Sequence, residues 1–161
     1  MKRISLTLCL AFLTVLFCQA QVAPLKFNKN GEFKIVQFTD IHFQYHNPAS
    51  AIALKRINEV LDAERPDLIV FTGDVVYAPP ADTAMRAVLD CASSRKIPFV
   101  VTFGNHDNEQ GKTRAELYDI IRSMPYNIQP DRGSVESPDY VLTVKSSDGK
   151  KDASVLYCLD S

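Results

Sequence analysis

Runs of strand length and stretches of helical period alternate three times along this chain. Phe33–Thr39, Leu68–Thr72 and Pro98–Phe103 are short, apolar and rich in β-branched and aromatic residues, the make-up of buried strands. Ala53, Ile57, Val60, Leu61 and Glu64 fall on one helical face between the first two runs. Ala84, Met85, Val88, Leu89 and Ala92 do so before the third, and Leu117, Ile120, Ile121 and Met124 after it. The helix signals agree: Asn47-Pro48 as N-cap and first-turn proline, Pro66 as a stop, and Thr113-Arg114-Ala115-Glu116 as a capping box. A β-α-β-α-β-α order needs parallel strands joined by right-handed crossovers. Tyr140–Val144 and Ala153–Leu159 then flank an Asp148-Gly149 turn, which predicts an antiparallel hairpin. The fold class expected is α/β with a terminal β-hairpin.

Each of the three strand-like runs ends in a polar cluster. Asp40-Ile41-His42 follows the first, Gly73-Asp74 the second and Gly104-Asn105-His106-Asp107 the third. Ligands of open α/β sheets bind beyond the carboxyl ends of the strands, so the clusters should converge on one site. Carboxylate, imidazole and amide oxygen suit hard and borderline divalent metals. Asp40 and His42, two residues apart on one loop, can grip one cation. Gly73 lets the backbone and carboxylate of Asp74 come close to a ligand, and a carboxylate between two cations can bridge them. Asn105 offers a neutral oxygen. His106 can contact a phosphoryl oxygen or protonate a leaving alkoxide.

The succession Asp-x-His, Gly-Asp, Gly-Asn-His-Asp, at separations of 34 and 31 residues, resembles the calcineurin-like metallophosphoesterases, which include the purple acid phosphatases. The resemblance implies the front half of a metallophosphoesterase-type α/β sandwich and hydrolysis of phosphomonoesters or phosphodiesters at a two-metal centre of Mn, Fe or Zn. It places Asp40 and His42 on the first metal, Asp74 between the two and Asn105 on the second. A metal-bound hydroxide would be the nucleophile, with its pKa lowered by the cations. His106 would act on the substrate or leaving group, and Asp107 would orient His106. Tyr77 stands three residues after Asp74, where purple acid phosphatases carry a tyrosine ligand. His42 competes for that coordination space, so Tyr77 is expected to be a pocket or packing residue. His46, on a loop, is expected to be solvated or to face substrate. The family completes its site with a lone histidine and a Gly-His-x-His segment, whereas this sequence holds only His42, His46 and His106. The expectation is therefore a domain over residues 21–161 whose C-terminal half is missing, with one apolar face of its sheet uncovered. The alternative is a truncated, non-catalytic remnant that binds at most one metal.

Composition restricts the setting. Lys2 and Arg3 precede the apolar stretch Ile4–Phe17, and Cys18-Gln19-Ala20 offers small residues before Gln21, the layout of a cleaved secretory signal over residues 1–20. The stretch falls short of the ~20 apolar residues of a membrane span. A secreted or periplasmic location follows. Without that segment 16 basic stand against 19 acidic residues, a net charge of −3, which signals neither nucleic acid nor an anionic membrane as a partner. A phosphate ester is the expected partner, and the sequence leaves the oligomeric state open. Cys91 and Cys158 could pair in an oxidising compartment; the favoured reading is two buried free thiols on different elements, since both sit in apolar stretches. Gly111-Lys112-Thr113 is no nucleotide-phosphate loop, because the required earlier glycine falls on His106.

Overall fold

The computed structural model describes residues 22–160. The expected signal segment, with Cys9 and Cys18, lies outside the described residues. The chain runs β1 (Ile35–Phe38), α1 (Ala51–Glu64), β2 (Leu68–Thr72), α2 (Ala81–Ser93), β3 (Phe99–Thr102), α3 (Arg114–Arg122), β4 (Tyr140–Lys145) and β5 (Asp152–Cys158). Strands β1, β2 and β3 form a parallel sheet in that order, with Phe38 beside Phe71 and Phe71 beside Val101. Strands β4 and β5 form the antiparallel hairpin. The α/β class and the element order are those expected from the sequence pattern.

Alternation along the strands divides the interior in two. Ile69, Phe71, Phe99 and Val101 point into a core shared with Met85, Val88 and Leu89 of α2, Leu117 and Ile121 of α3, and Ile57 and Leu61 of α1. Leu68 and Val100, on the opposite face, meet Tyr140, Leu142, Val144 and Cys158 of the hairpin together with Leu25. The uncovered sheet face expected from the sequence is covered in part: the hairpin lies over β2 and β3, where Leu68 and Val100 are fully buried, while Ile35 of β1, in register with Leu68, stays exposed. Further apolar exposure lies on the hairpin's outer side, at Val141, Val155 and Tyr157.

Local signals behave as their chemistry requires, with two differences. Asn47 caps a single 3-10 turn, Pro48–Ser50, and α1 begins after it. Val60 is exposed, and Leu54 joins Ile57 and Leu61 against the core instead. The helix buries the narrower stripe 54, 57, 61, and a valine one turn-fraction off it faces water. Helix α1 ends where Arg65 turns left-handed, just before Pro66. Thr113 and Glu116 form the reciprocal capping box of α3. Cys91 and Cys158 are free and buried in different cores, and burial pushes both thiols up. Among the described residues no helix is long and apolar enough to cross a membrane.

Candidate metal centre

The loops after β1 and β2 continue side by side beyond the sheet. The amides of Asp40, His42 and Phe43 donate to the carbonyls of Gly73 (3.2 Å), Asp74 (2.9 Å) and Val75 (2.9 Å). Both loops leave extended geometry at the residues that carry the chemistry. Asp40, His42 and Asp74 adopt φ of 52°, 49° and 51°, the left-handed region that non-glycine residues enter at a cost of about 1–2 kcal/mol. Such strain is kept where surrounding structure over-determines it, which happens most at ligand sites.

The twist brings three side chains together. One ligand atom from each of Asp40, His42 and Asp74 lies within 4.8 Å of the other two. His42 Nε2 stands 3.7 Å from Asp40 Oδ1 and 3.6 Å from Asp74 Oδ2. Two carboxylates and an imidazole at this spacing are a donor set that fits one divalent cation. Asp74 is the most enclosed of the three, and Asp40 faces solvent.

The loop after β3 closes on Asp74 from the other side. The His106 amide donates to Asp74 Oδ1 at 3.0 Å, so the two Asp74 oxygens face the first and third loops respectively. This approach needs two glycines. A Cβ on Gly104 would sit 2.2 Å from Asp74 Oδ1, and one on Gly73 would sit 2.6 Å from the Gly104 nitrogen. Asn105 is exposed between Gly104 and His106, both of which touch Asp74.

Asp107 does something other than expected. Its fully buried carboxylate accepts four backbone N–H groups, from Asp74 (2.9 Å), Val75 (2.8 Å), Val76 (3.1 Å) and Gly104 (2.9 Å). Those four bonds fill its acceptor capacity and tie the second loop to the third. Burial pushes the Asp107 carboxyl up, against the four donors that hold it down. The ring of His106 is oriented by Glu109 instead: His106 Nδ1 and Glu109 Oε2 are 2.7 Å apart. The single 3-10 turn Asp107–Glu109 sets this, because it turns residue 107 inward and brings residue 109 back beneath the imidazole. The Glu109 hydrogen bond raises the His106 pKa above its ordinary value.

Tyr77 is exposed, with its ring 5.0 Å from those of both His42 and His106. His46 is exposed on its loop, with its ring 4.8 Å from that of Tyr45. Sequence reasoning missed Glu109, since no regular period marks a one-turn helix. It also gave no partner for Asp160, although that residue ends a strand just as the three clusters do. Asp160 accepts from the Phe103 amide at 2.8 Å and pairs with Arg114.

Comparison with known proteins bears on the family. The family model described as calcineurin-like phosphoesterase matches residues 33–152. The chain is 37% identical over 123 residues to the Arabidopsis thaliana protein named "Probable inactive purple acid phosphatase 29", covering 66% of this chain and 32% of that protein. It is 32% identical over 115 residues to phosphatase DCR2 of Saccharomyces cerevisiae, covering 61% and 20%. It is 31% identical over 85 residues to the UDP-2,3-diacylglucosamine pyrophosphatase LpxG of Chlamydia trachomatis, covering 52% and 25%. The chain spans about a third or less of the length of these curated relatives.

Proposed function

This chain belongs to the calcineurin-like phosphoesterase family, and from that premise we propose that it supplies the metal-binding half of a phosphoesterase acting on phosphomonoesters or phosphodiesters. The observation that carries the proposal is the convergence of Asp40, His42 and Asp74. Divalent or trivalent ions held there, Mn, Fe or Zn, would supply Lewis-acid activation of water and neutralise phosphate charge. A two-metal arrangement is supported by Asp74, whose second oxygen faces the loop bearing Asn105. His106, anchored through Nδ1 by Glu109, keeps Nε2 for a phosphoryl oxygen or a departing alkoxide. Tyr77 walls the space between the two imidazoles.

The test is Asp74→Asn, assayed for Mn²⁺ uptake and for hydrolysis of p-nitrophenyl phosphate and its bis-ester. Loss of uptake together with a rate reduced by several orders of magnitude is expected. Unchanged hydrolysis would reject the assignment. A second reading, a non-catalytic module that holds one metal, is favoured because, among the described residues, the histidine, cysteine and carboxylate side chains gather in this one group of three. Two metals per chain by elemental analysis would remove it, and one metal without turnover would establish it. Export through the segment over residues 1–20 belongs to the same proposal, and its check is the cell fraction in which the protein accumulates.

A further inference from the structure

We propose that Asp160 and Arg114 are positioning residues for the loop that carries Asn105 and His106. The inference rests on reading that loop as part of the metal site. Asp160 lies just beyond β5, far from the loop in sequence, yet its carboxylate accepts the Phe103 amide at 2.8 Å and binds Nη1 of Arg114. The second arm of the guanidinium, Nη2, donates to the Gly104 carbonyl at 3.1 Å. The cation also stands over the Phe103 ring, 5.9 Å from its centroid. The pair is largely shielded, with the Asp160 side chain 10% exposed and that of Arg114 21%. Asp160 is itself seated by its own amide, which donates to Asp139 at 2.8 Å.

The consequence lies in how Gly104 is held. Its N–H goes to Asp107 on the inner side, and its carbonyl goes to Arg114 on the outer side. Both polar groups of the residue directly before Asn105 are therefore fixed, and from separate elements. A shielded ion pair returns little net stability once desolvation is counted, and an apolar pair would fasten the hairpin as firmly. What the guanidinium adds is a planar fork that sets the direction of a particular carbonyl. Direction is what a ligand loop needs, because replacing the groups that orient metal ligands typically weakens a metal site by about 10–100-fold.

The test compares Arg114→Lys, which keeps the charge and loses the fork, with Asp160→Asn, which keeps an acceptor for Phe103 and loses the charge pair. The first readout is amide hydrogen exchange of the metal-free full chain. Exchange faster by about tenfold or more at Asn105 and His106, with β4, β5 and α3 unchanged, is the expected result. Unchanged exchange at the loop would overturn the proposal. So would faster exchange spread through the hairpin and α3, since that would make the pair a fold fastener. The second readout is Mn²⁺ titration, with Asn105→Ala defining the part of the uptake that depends on this loop. In R114K that part should weaken by about tenfold or more while binding at Asp40, His42 and Asp74 stays within about twofold. Equal weakening of both would overturn the proposal. If wild type and N105A titrate alike, the two-metal reading has failed, and loop exchange alone decides the role of Asp160 and Arg114.

Discussion

Asp107 ties together the second and third loops through four of the bonds that hold them at a fixed distance, beside the His106 amide bond to Asp74. Replacing it with asparagine puts an NH₂ group against backbone N–H donors and leaves at least one of them unsatisfied in a buried place. Each such donor costs about 1–3 kcal/mol, so Asp107→Asn should lower urea-derived stability by that order and reduce Mn²⁺ affinity as well. Gly104→Ala has a sharper cause. The added methyl would need the space of Asp74 Oδ1, so either the carboxylate or the loop must move. Overpacking of this kind costs about 1–3 kcal/mol, and Mn²⁺ uptake measured by titration should fall further than stability does. Glu109→Gln tests the opposite kind of residue, an exposed one with a local duty. Stability should hardly change, while turnover drops and the ¹⁵N shift of His106 Nδ1 moves. The residue types of this site were legible in the sequence because strand ends and glycines announce them. The division of labour between Asp107 and Glu109 was not, because a one-turn 3-10 segment decides which carboxylate faces the ring.

Helix α3 begins with the clearest local signal in the chain, and the structure holds it as written. Thr113 accepts from the Glu116 amide, and Glu116 accepts from the Thr113 amide at 2.9 Å. The Thr113 backbone bond, with Lys112 beside it, holds the Glu116 carboxyl below its ordinary value of 4.5. A carboxyl lowered in the folded state stabilises above its unfolded pKa, and that contribution is lost as pH falls through the folded one. Glu116→Gln should therefore melt below wild type near neutral pH, and the difference should shrink as pH falls below 4.5 and through the lowered folded-state value. Thr113→Ala should cost about 0.5–2 kcal/mol both near neutral pH and in acid, as thermal melts can show. The stripe of α2 was readable because it is wide and unbroken; in α3 the reading missed Tyr118, which is buried, and ran on to Met124, which lies beyond the helix end. Val60 misled because α1 packs through a narrower stripe, and periodicity alone does not fix how much of a face a neighbour covers.

For the whole molecule, within residues 22–160 helices cover one face of the sheet, and the hairpin covers β2 and β3 on the other, leaving Ile35 of β1 exposed. That second cover was not legible, since a hairpin's pattern tells which side of it is apolar and not where it docks. Ligand linkage then joins site to fold. Mn²⁺ at about 100 times its dissociation constant should stabilise the chain by about 2.7 kcal/mol, EDTA should reverse this, and Asp74→Asn should show neither effect by calorimetry. One geometric detail also governs how any mutagenesis of this centre will read. Asp40, His42 and Asp74 occupy backbone that aspartate, asparagine, histidine and glycine accept more readily than other residues. Alanine scanning would remove a ligand and at the same time oppose the backbone, and so would overstate the worth of each side chain. Asparagine at 40 and 74 keeps the turn and removes the charge, which makes it the informative substitution.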